Sequence, residues 1–438
     1  GGGGEGTKGG GGVEGGISGR PGAAAATPTH HLLTPLAADL LRREEIIMST
    51  HNVIHTNVAV CSSLGPPYAS QMRFLFLDLL TVYGRYSQLV SQAVASATDP
   101  SVVARSSSVK GMRGVKKMAL RLIETFVEKT DDCTTLATQY VPALMDPILG
   151  DYARSVPDAR DPEVLSLFSS VVTKLKDLAQ PHVPLIFEAV FESTLQMITR
   201  NFEDYPEHRL QFFALLHAIV ESCFPCMYAL SAPQLKLVIN SVIWAFRHTE
   251  RNIAETGLQL LLLLLVNFAK SPAVTQFHVE YHLNLLREIL AVMSDSFHKP
   301  GFKLHAEILH HLFTIVDQNI INQPLWDITE RGPDAYPSNG AFLRDHVGSL
   351  LRLSFPNLTQ QQVLACVTGM FELKDFPAFK QHLRDFLIQT KQFASQDNAE
   401  LFAGEVEKQV QQVQQQQAAA AAAAIAGGGG GAGGAGGG

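Results

Sequence analysis

The sequence contains little cysteine, and its cysteines follow no cross-linking pattern. There are five in 438 residues, at positions 61, 133, 223, 226 and 366. An odd number spread thinly over a long chain does not resemble the disulfide framework of a small secreted protein. We therefore expect a reducing compartment, either cytosol or nucleus.

An excess of positive charge is also missing. The chain has 34 Lys and Arg against 41 Asp and Glu, a formal net charge of -7 and a pI near 6.1. Because phosphate binding depends on clustered Lys and Arg, direct contact with nucleic acid or with an anionic membrane is not expected. The longest apolar run, residues 258–268, is far shorter than the ~20 residues of a membrane span and predicts a buried helix.

Catalytic motifs are absent as well: there is no GxSxG, no GxxxxGK[ST], and no GxGxxG after a strand. Residues 208–226 hold the densest group of reactive side chains, His208, His217, Cys223 and Cys226. The two histidines are nine positions apart and lie on opposite sides of a helix. The CxxC lacks the second pair of ligands that zinc requires and the βαβ context of a redox motif.

We therefore expect these four residues to pack, and we predict no catalytic residue, no metal ligand and no cofactor. A metal or thiol enzyme built around residues 208–226 is the alternative from another functional class. The histidines of KLHAEILHHLF, residues 303–313, form no HExxH motif either, and we interpret them as core or surface residues.

With 46% hydrophobic and 17% charged residues, the chain is globular. Residues 1–34 are rich in Gly and Ala and are predicted to be disordered, and residues 405–438 form a Gln/Ala/Gly-rich low-complexity tail. Between them, residues 35–404, apolar side chains recur at three and four positions and strand alternation is absent. Among the predicted helices are 36–62, 111–129 and 134–150.

Helices of this length in antiparallel pairs, recurring about every 40 residues, are typical of HEAT repeats. We predict an all-α fold, a HEAT-repeat α-solenoid in the form of a right-handed superhelical stack of antiparallel helix pairs. A single compact bundle is the alternative architecture. The solenoid is favoured because no set of helices is hydrophobic enough to form one common centre, whereas stacking needs burial only between neighbours.

The helix predicted at 111–129 has one apolar and one basic face at about 100° per residue. The apolar face comprises Met112, Val115, Met118, Ala119, Leu122, Ile123 and Phe126. The opposite face carries Lys110, Arg113, Lys117 and Arg121, which we call the basic stripe. A row of like charge can bind an acidic partner, so the stripe is the candidate partner-binding surface. The alternative is an ordinary solvated helix face.

Long segments resemble one known family. NFEDYPEHRLQFFALLHAIVESCFP, followed by QLKLVINSVIWAFRHTERNIAETGLQLL, is similar to the C-terminal region of exportin-1, a karyopherin of the importin-beta class. The similarity extends through MRGVKKMALRLIETFV, YVPALMDPILGDYARSVPDARDPEVLS and PAFKQHLRDFLIQTKQFASQDNAELF. It covers about residues 53–402, in family order.

The resemblance implies a receptor that carries proteins with leucine-rich export signals out of the nucleus together with the GTP form of Ran. It implies no enzymatic activity, shuttling between nucleus and cytoplasm through the nuclear pore, and nucleoporins as further partners. The family's cargo groove, with its reactive cysteine, lies upstream of the matching region, so cargo is expected to bind only through that upstream region. The alternatives within the same class are a free-standing HEAT-repeat scaffold and a truncated, non-functional exportin duplicate.

Overall fold

The computed structural model describes residues 34–200 and 203–390, and every regular element in these two ranges is helical. The expectations for the two chain ends, 1–34 and 405–438, concern residues that lie outside this part apart from Thr34. The first helices are α1 (Pro35–Leu41), α2 (Glu44–Leu64), α3 (Ala69–Ala95), α4 (Pro100–Ala104), α5 (Ser107–Lys129), α6 (Cys133–Thr135), α7 (Val141–Leu144), α8 (Asp151–Arg154), α9 (Glu163–Leu175) and α10 (Val183–Arg200). The others are α11 (Pro206–Ser222), α12 (Pro225–Tyr228), α13 (Ala232–Phe246), α14 (Arg251–Ala269), α15 (Val274–Met293), α16 (Phe302–Asp317), α17 (Ile328–Arg331), α18 (Asn339–Ser354), α19 (Gln360–Glu372) and α20 (Phe376–Gln389).

The helices stack in two rows. In one row, each of α2, α5, α9, α11, α14, α16 and α20 packs against the next. Helices of the second row pair with members of the first: α3 with α5, α10 with α11, α13 with α14, and α15 with α16. Contacts therefore run between neighbours in chain order, as in a solenoid, and the prediction of an all-α HEAT-repeat stack is confirmed.

The helix predicted at 111–129 begins four residues earlier, at Ser107, and two other predicted helices are not continuous and regular in the structure. The helix predicted at 36–62 is interrupted between α1 and α2 at residues 42–43. The helix predicted at 134–150 is irregular, with π-helical stretches at Leu136–Tyr140 and Met145–Gly150. Pro142 and Pro147 lie in this region and have no N–H to donate, so the regular hydrogen-bond ladder cannot continue through them.

Helix α14 contains the long leucine run and is the one helix in the described ranges that is long and apolar enough to cross a membrane by length and composition. In the stack it packs against α11, α13 and α16. Its buried side chains are Leu258, Leu260, Leu261, Leu264, Leu265 and Phe268. The structure therefore uses this run as a core helix, as the sequence predicts.

Gly257 sets the close approach of α14 to α13. A Cβ at this position would overlap the backbone nitrogen of Phe246 and the backbone of Ala245. Backbone cannot move aside as a flexible side chain can, so this crossing requires glycine.

Gly257→Ala should therefore lower the free energy of unfolding by at least ~1 kcal/mol, although alanine favours helix more than glycine does. Gly84→Ala in α3 is the matched control, because nothing lies within 4 Å of a Cβ added there. The control should stabilise the protein by about 0.5–1 kcal/mol. Urea unfolding of both variants measures the difference, and a stabilised Gly257→Ala protein would contradict the close approach.

Several buried histidines lie in the helices after α14. His278 and His282 are fully buried in α15, with their Nδ1 atoms 2.9 Å apart, so one ring donates to the other. Burial lowers the pKa of His278 to about 3 and holds that of His282 well below its usual range. Burial likewise lowers the pKa of His305 in α16 to about 3. All three rings are therefore neutral in the folded protein.

These low pKa values predict acid lability. Below the unfolded-state pKa of ~6.5, the unfolded chain binds protons that the folded chain cannot, so stability is full above pH 6.5 and is lost as the pH falls toward 3. Each buried histidine should cost about 1 kcal/mol of unfolding free energy between pH 7.5 and 5.5. His278→Leu should reduce that pH dependence, whereas His217→Leu, at a side chain 40% exposed, should leave it unchanged. Equal pH dependence in the wild type and His278→Leu would disprove the assignment.

Candidate partner-binding surface

Helix α5 has the two faces that the sequence predicts. Met112, Val115, Ala119 and Ile123 are buried, and the helix packs against α2, α3 and α9. A Ser106 side chain caps its first turn by accepting a hydrogen bond from the Val109 N–H at 3.4 Å. The basic stripe lies on the opposite side, and its four members have different environments.

Arg113 is half-buried and binds the connection that leads into α9. Its Nε donates to Oδ1 of Asp161 at 2.9 Å, and its Nη1 and Nη2 donate to the backbone carbonyls of Asp158 and Arg160 at 3.1 and 2.9 Å. Three such bonds occupy most of the guanidinium. Arg113 therefore holds the fold together and is poorly placed to bind a partner.

Lys117 is also engaged within the chain: its Nζ lies 2.6 Å from Oε1 of Glu163, in the first turn of α9. Lys110 and Arg121 are exposed and form no ion pair with any residue in the described ranges. They are eleven positions apart, which is about 16 Å along the helix axis. Eleven positions also make about three full turns, so the two side chains lie on the same side of α5. The stripe therefore divides into two residues that join α5 to α9 and two that face solvent.

The most buried cation of α5, Lys116, is not a member of the basic stripe that the sequence indicates. Lys116 is 1% exposed, and its Nζ lies 2.8 Å from Oδ2 of Asp161 and 3.8 Å from Oδ2 of Asp151. The same nitrogen lies 5.1 Å from the ring centroid of Tyr83. A signal was present in the sequence, because position 116 falls between Met112 and Ala119 on the apolar face, where a lysine needs a buried anion.

Asp161 is the centre of this network, which we call the Asp161 cluster and define as Asp161, Lys116, Arg113, Asp151 and Tyr83. Burial by itself raises the pKa of the Asp161 carboxyl, but Lys116 and Arg113 outweigh burial and hold that pKa below its ordinary value. Asp161 is therefore ionised in the folded protein.

The second carboxylate of the cluster, Asp151, accepts hydrogen bonds from Tyr83 at 3.0 Å and from Ser87 at 2.6 Å. These residues come from α3, α5, α8 and the connection before α9. The cluster therefore links two neighbouring helix pairs through charge and hydrogen bonds as well as through apolar packing.

The four reactive residues of 208–226 are spread along α11 and α12: His208 lies in the first turn of α11, His217 in its middle with a side chain 40% exposed, Cys223 just after its end and Cys226 in α12. His208 is buried in the first turn against Tyr152 and Tyr205, and burial lowers its pKa to about 4. Cys223 follows the last residue of the helix, about 22 Å away at 1.5 Å per residue. In the described ranges, no group of three or more His, Cys, Asp or Glu side chains is arranged to hold a metal.

Comparison with known proteins places this arrangement in a family. Residues 71–395 match the family described as CRM1 C terminal. The chain belongs to the exportin-1 family of nuclear export receptors, as its C-terminal region. The resemblance found in the sequence is confirmed. The match includes α5, the whole Asp161 cluster and nearly all of the helices from α3 to α20, whereas α1 and α2 precede it.

Individual exportin relatives cover most of the chain. It is 50% identical over 376 residues to Protein EXPORTIN 1B of Arabidopsis thaliana, which covers 86% of this chain and 35% of the relative. Exportin-1 of Dictyostelium discoideum is 40% identical over 386 residues, covering 86% of this chain and 36% of the relative. Exportin-1 of Schizosaccharomyces pombe is 41% identical over 379 residues, covering 85% of this chain and 34% of the relative. The chain thus spans about a third of the length of these exportins.

Adjacent lysines of this exportin-family chain offer a matched test of the cluster. Lys116→Met removes one of the two cations that pair with fully buried Asp161 and should cost about 3 kcal/mol of unfolding free energy. Lys117→Met breaks only the half-exposed pair with Glu163 and should cost less than about 1 kcal/mol. Urea unfolding at pH 7 measures both. Similar small losses in the two variants would show that the cluster does not hold the stack together.

Proposed function

We propose that this chain works as the C-terminal HEAT-repeat part of a receptor that carries proteins with leucine-rich export signals out of the nucleus with Ran in its GTP form. The main support is the match of residues 71–395 to the family, together with 40–50% identity to exportins across 85–86% of the chain. The receptor shuttles between nucleus and cytoplasm through the pore, with nucleoporins as further partners.

The chain acts by binding and is not an enzyme. Its described residues supply two things that such a role needs, a continuous stack of helices and a charged outer surface. Cargo binds only through the region that corresponds to the upstream part of the longer relatives. In the whole receptor, Ran and cargo each favour the same shape of the stack, so binding of one raises the affinity for the other.

The surface proposed for partner contact is the exposed part of the basic stripe, Lys110 and Arg121. Both point to solvent, and neither is neutralised by a residue of the described chain. A shallow groove between α2, α5 and α9 is lined by Lys117, Arg121 and Lys129 and by the carboxylates of Glu124, Glu128 and Glu163. A partner with an acidic surface that lies along α5 would gain the unpaired positive charges of Lys110 and Arg121. Arg113 and Lys117 support this surface by fixing α5 to α9.

The double charge reversal Lys110→Glu, Arg121→Glu should weaken binding of GTP-loaded Ran about tenfold at low salt, and by less at high salt, because exposed charges are screened. Isothermal titration or biolayer interferometry of the 438-residue chain measures the change. Lys236→Glu with Arg251→Glu is the matched control, since it alters the net charge equally at exposed positions outside the stripe. If both pairs weaken binding equally, or neither does, the stripe is not the contact surface.

Titrating a leucine-rich export peptide, and separately Ran, into the same protein distinguishes part of an export receptor from a free-standing HEAT-repeat scaffold. A receptor part whose cargo groove lies elsewhere gives no saturable binding at micromolar peptide, but it binds Ran. Binding of the peptide would contradict the assignment of cargo to the upstream region. Absence of Ran binding by folded protein would instead favour a free-standing HEAT-repeat scaffold.

A further inference from the structure

Cys223 and Cys226 are the two thiols that meet in the described part of the chain. Their sulfur atoms lie 2.8 Å apart, and the side chains are 1% and 4% exposed. Cys61, Cys133 and Cys366 lie on α2, at the start of α6 and on α19, and all five are free thiols. The sequence led us to expect two packing residues with no shared chemistry, whereas the structure places their reactive atoms in contact.

The backbone between them already has the shape that a disulfide needs. The N–H of Cys226 donates to the carbonyl of Cys223 at 3.0 Å, which closes a four-residue turn. Such a turn brings its first and last Cα atoms within about 7 Å, and disulfides span Cα separations of about 4.4–6.8 Å. Bond formation therefore needs only a small movement of the two side chains.

The turn is held in place from one side. Phe224 packs edge-on against Phe268 of α14 with ring centroids 5.0 Å apart, and Met227 donates its N–H to the Phe224 carbonyl at 2.8 Å. Ser222 and Pro225, the residues that precede the two cysteines in the chain, are only half-buried. The dithiol thus has partly exposed chain neighbours, and hydrogen peroxide is small enough to pass between them.

The two thiols differ in acidity. The hydrogen bond from Cys226 stabilises the thiolate of Cys223 and lowers the Cys223 pKa, while the same interaction and burial raise the pKa of Cys226. This asymmetry favours Cys223 as the attacking sulfur and Cys226 as the resolving one. By contrast, burial raises the pKa of Cys61 to about 11 and also raises that of Cys366, so both stay protonated.

We propose that Cys223 and Cys226 form a peroxide-sensitive dithiol that closes to a reversible disulfide across the turn between α11 and α12. The Cys223 thiolate attacks one oxygen of hydrogen peroxide, the O–O bond breaks, and the departing hydroxide takes up the thiol proton to become water. The Cys226 sulfur then attacks the resulting sulfenic acid, its proton leaves with the hydroxyl as a second water, and the S–S bond forms. Two thiols are oxidised by two electrons and one peroxide is reduced to two waters.

The site lies at a joint of the stack. The turn connects α11, a member of one row, to α13, which belongs to the other row and pairs with α14. A bond across it would restrict the rotation of one helix pair against the next, and small rotations of this kind set the curvature of a solenoid. Because the closed loop contains only four residues, the disulfide adds little stability and stays easy to reduce.

Oxidation of the folded protein, followed by a count of its remaining thiols, tests the proposal without any substitution. Reduced chain is treated with one equivalent of hydrogen peroxide, unfolded, alkylated with N-ethylmaleimide and digested for mass spectrometry. Three of the five cysteines should be alkylated, a peptide with Cys223 and Cys226 linked should weigh about 2 Da less than its reduced form, and dithiothreitol should restore five. Five alkylated cysteines, or oxidation that begins at Cys133, would overturn the proposal.

Two variants assign the roles of the sulfurs. In Cys226→Ser, Cys223 has no resolving partner and should accumulate as a sulfenic acid that dimedone labels. The matched control Cys133→Ser, at a half-buried thiol bonded only to a backbone carbonyl, should form the disulfide as the wild type does. Should Cys226→Ser fail to fold, the alkylation pattern of the wild type still decides the question. Absence of dimedone label in folded Cys226→Ser would refute Cys223 as the attacking thiol.

Discussion

The buried charge of Asp161 is the constraint around which the first half of the stack is arranged. A fully buried carboxylate is stable only with cations beside it, and here Lys116 and Arg113 supply them from α5. That requirement fixes the turn before α9 against the side of α5, and it brings Asp151 and Tyr83 into the same network. The junction is therefore specified by charge at one defined register, whereas apolar packing alone would tolerate small slips between neighbouring helices.

Beyond this cluster, burial between neighbours accounts for the rest of the architecture. Each helix of the first row covers the next, and α11, α13 and α16 pack against α14, which buries one face of its leucine run. Glycine at position 257 permits the close approach of α14 to α13. A stack of this kind has no single centre, and its shape depends on many small angles between pairs. Joints such as the turn at Cys223 and Cys226 are therefore where a local chemical change has the largest effect on shape.

The basic stripe shows how burial divides residues that look alike in the sequence. Lys110, Arg113, Lys117 and Arg121 share a face and a charge, yet two are occupied by Asp161 and Glu163 and two remain open to solvent. Partner contact is accordingly proposed for Lys110 and Arg121 alone, while the paired residues keep α5 at the orientation that presents them.

The sequence by itself determined the helical class, the pairing into repeats, most helix positions and the family, because periodicity and long matching segments are local features of the chain. It also identified α14 as a core helix. Only the tertiary structure decided that Lys116 is buried, that Arg113 is structural, and that the two cysteines of CFPC are in contact. Those facts depend on which distant carboxylate, carbonyl or turn geometry lies opposite each side chain, and spacing along one helix cannot specify that. The irregular helix at 136–150 followed from prolines whose effect depends on the hydrogen bonds that the neighbouring backbone can still form.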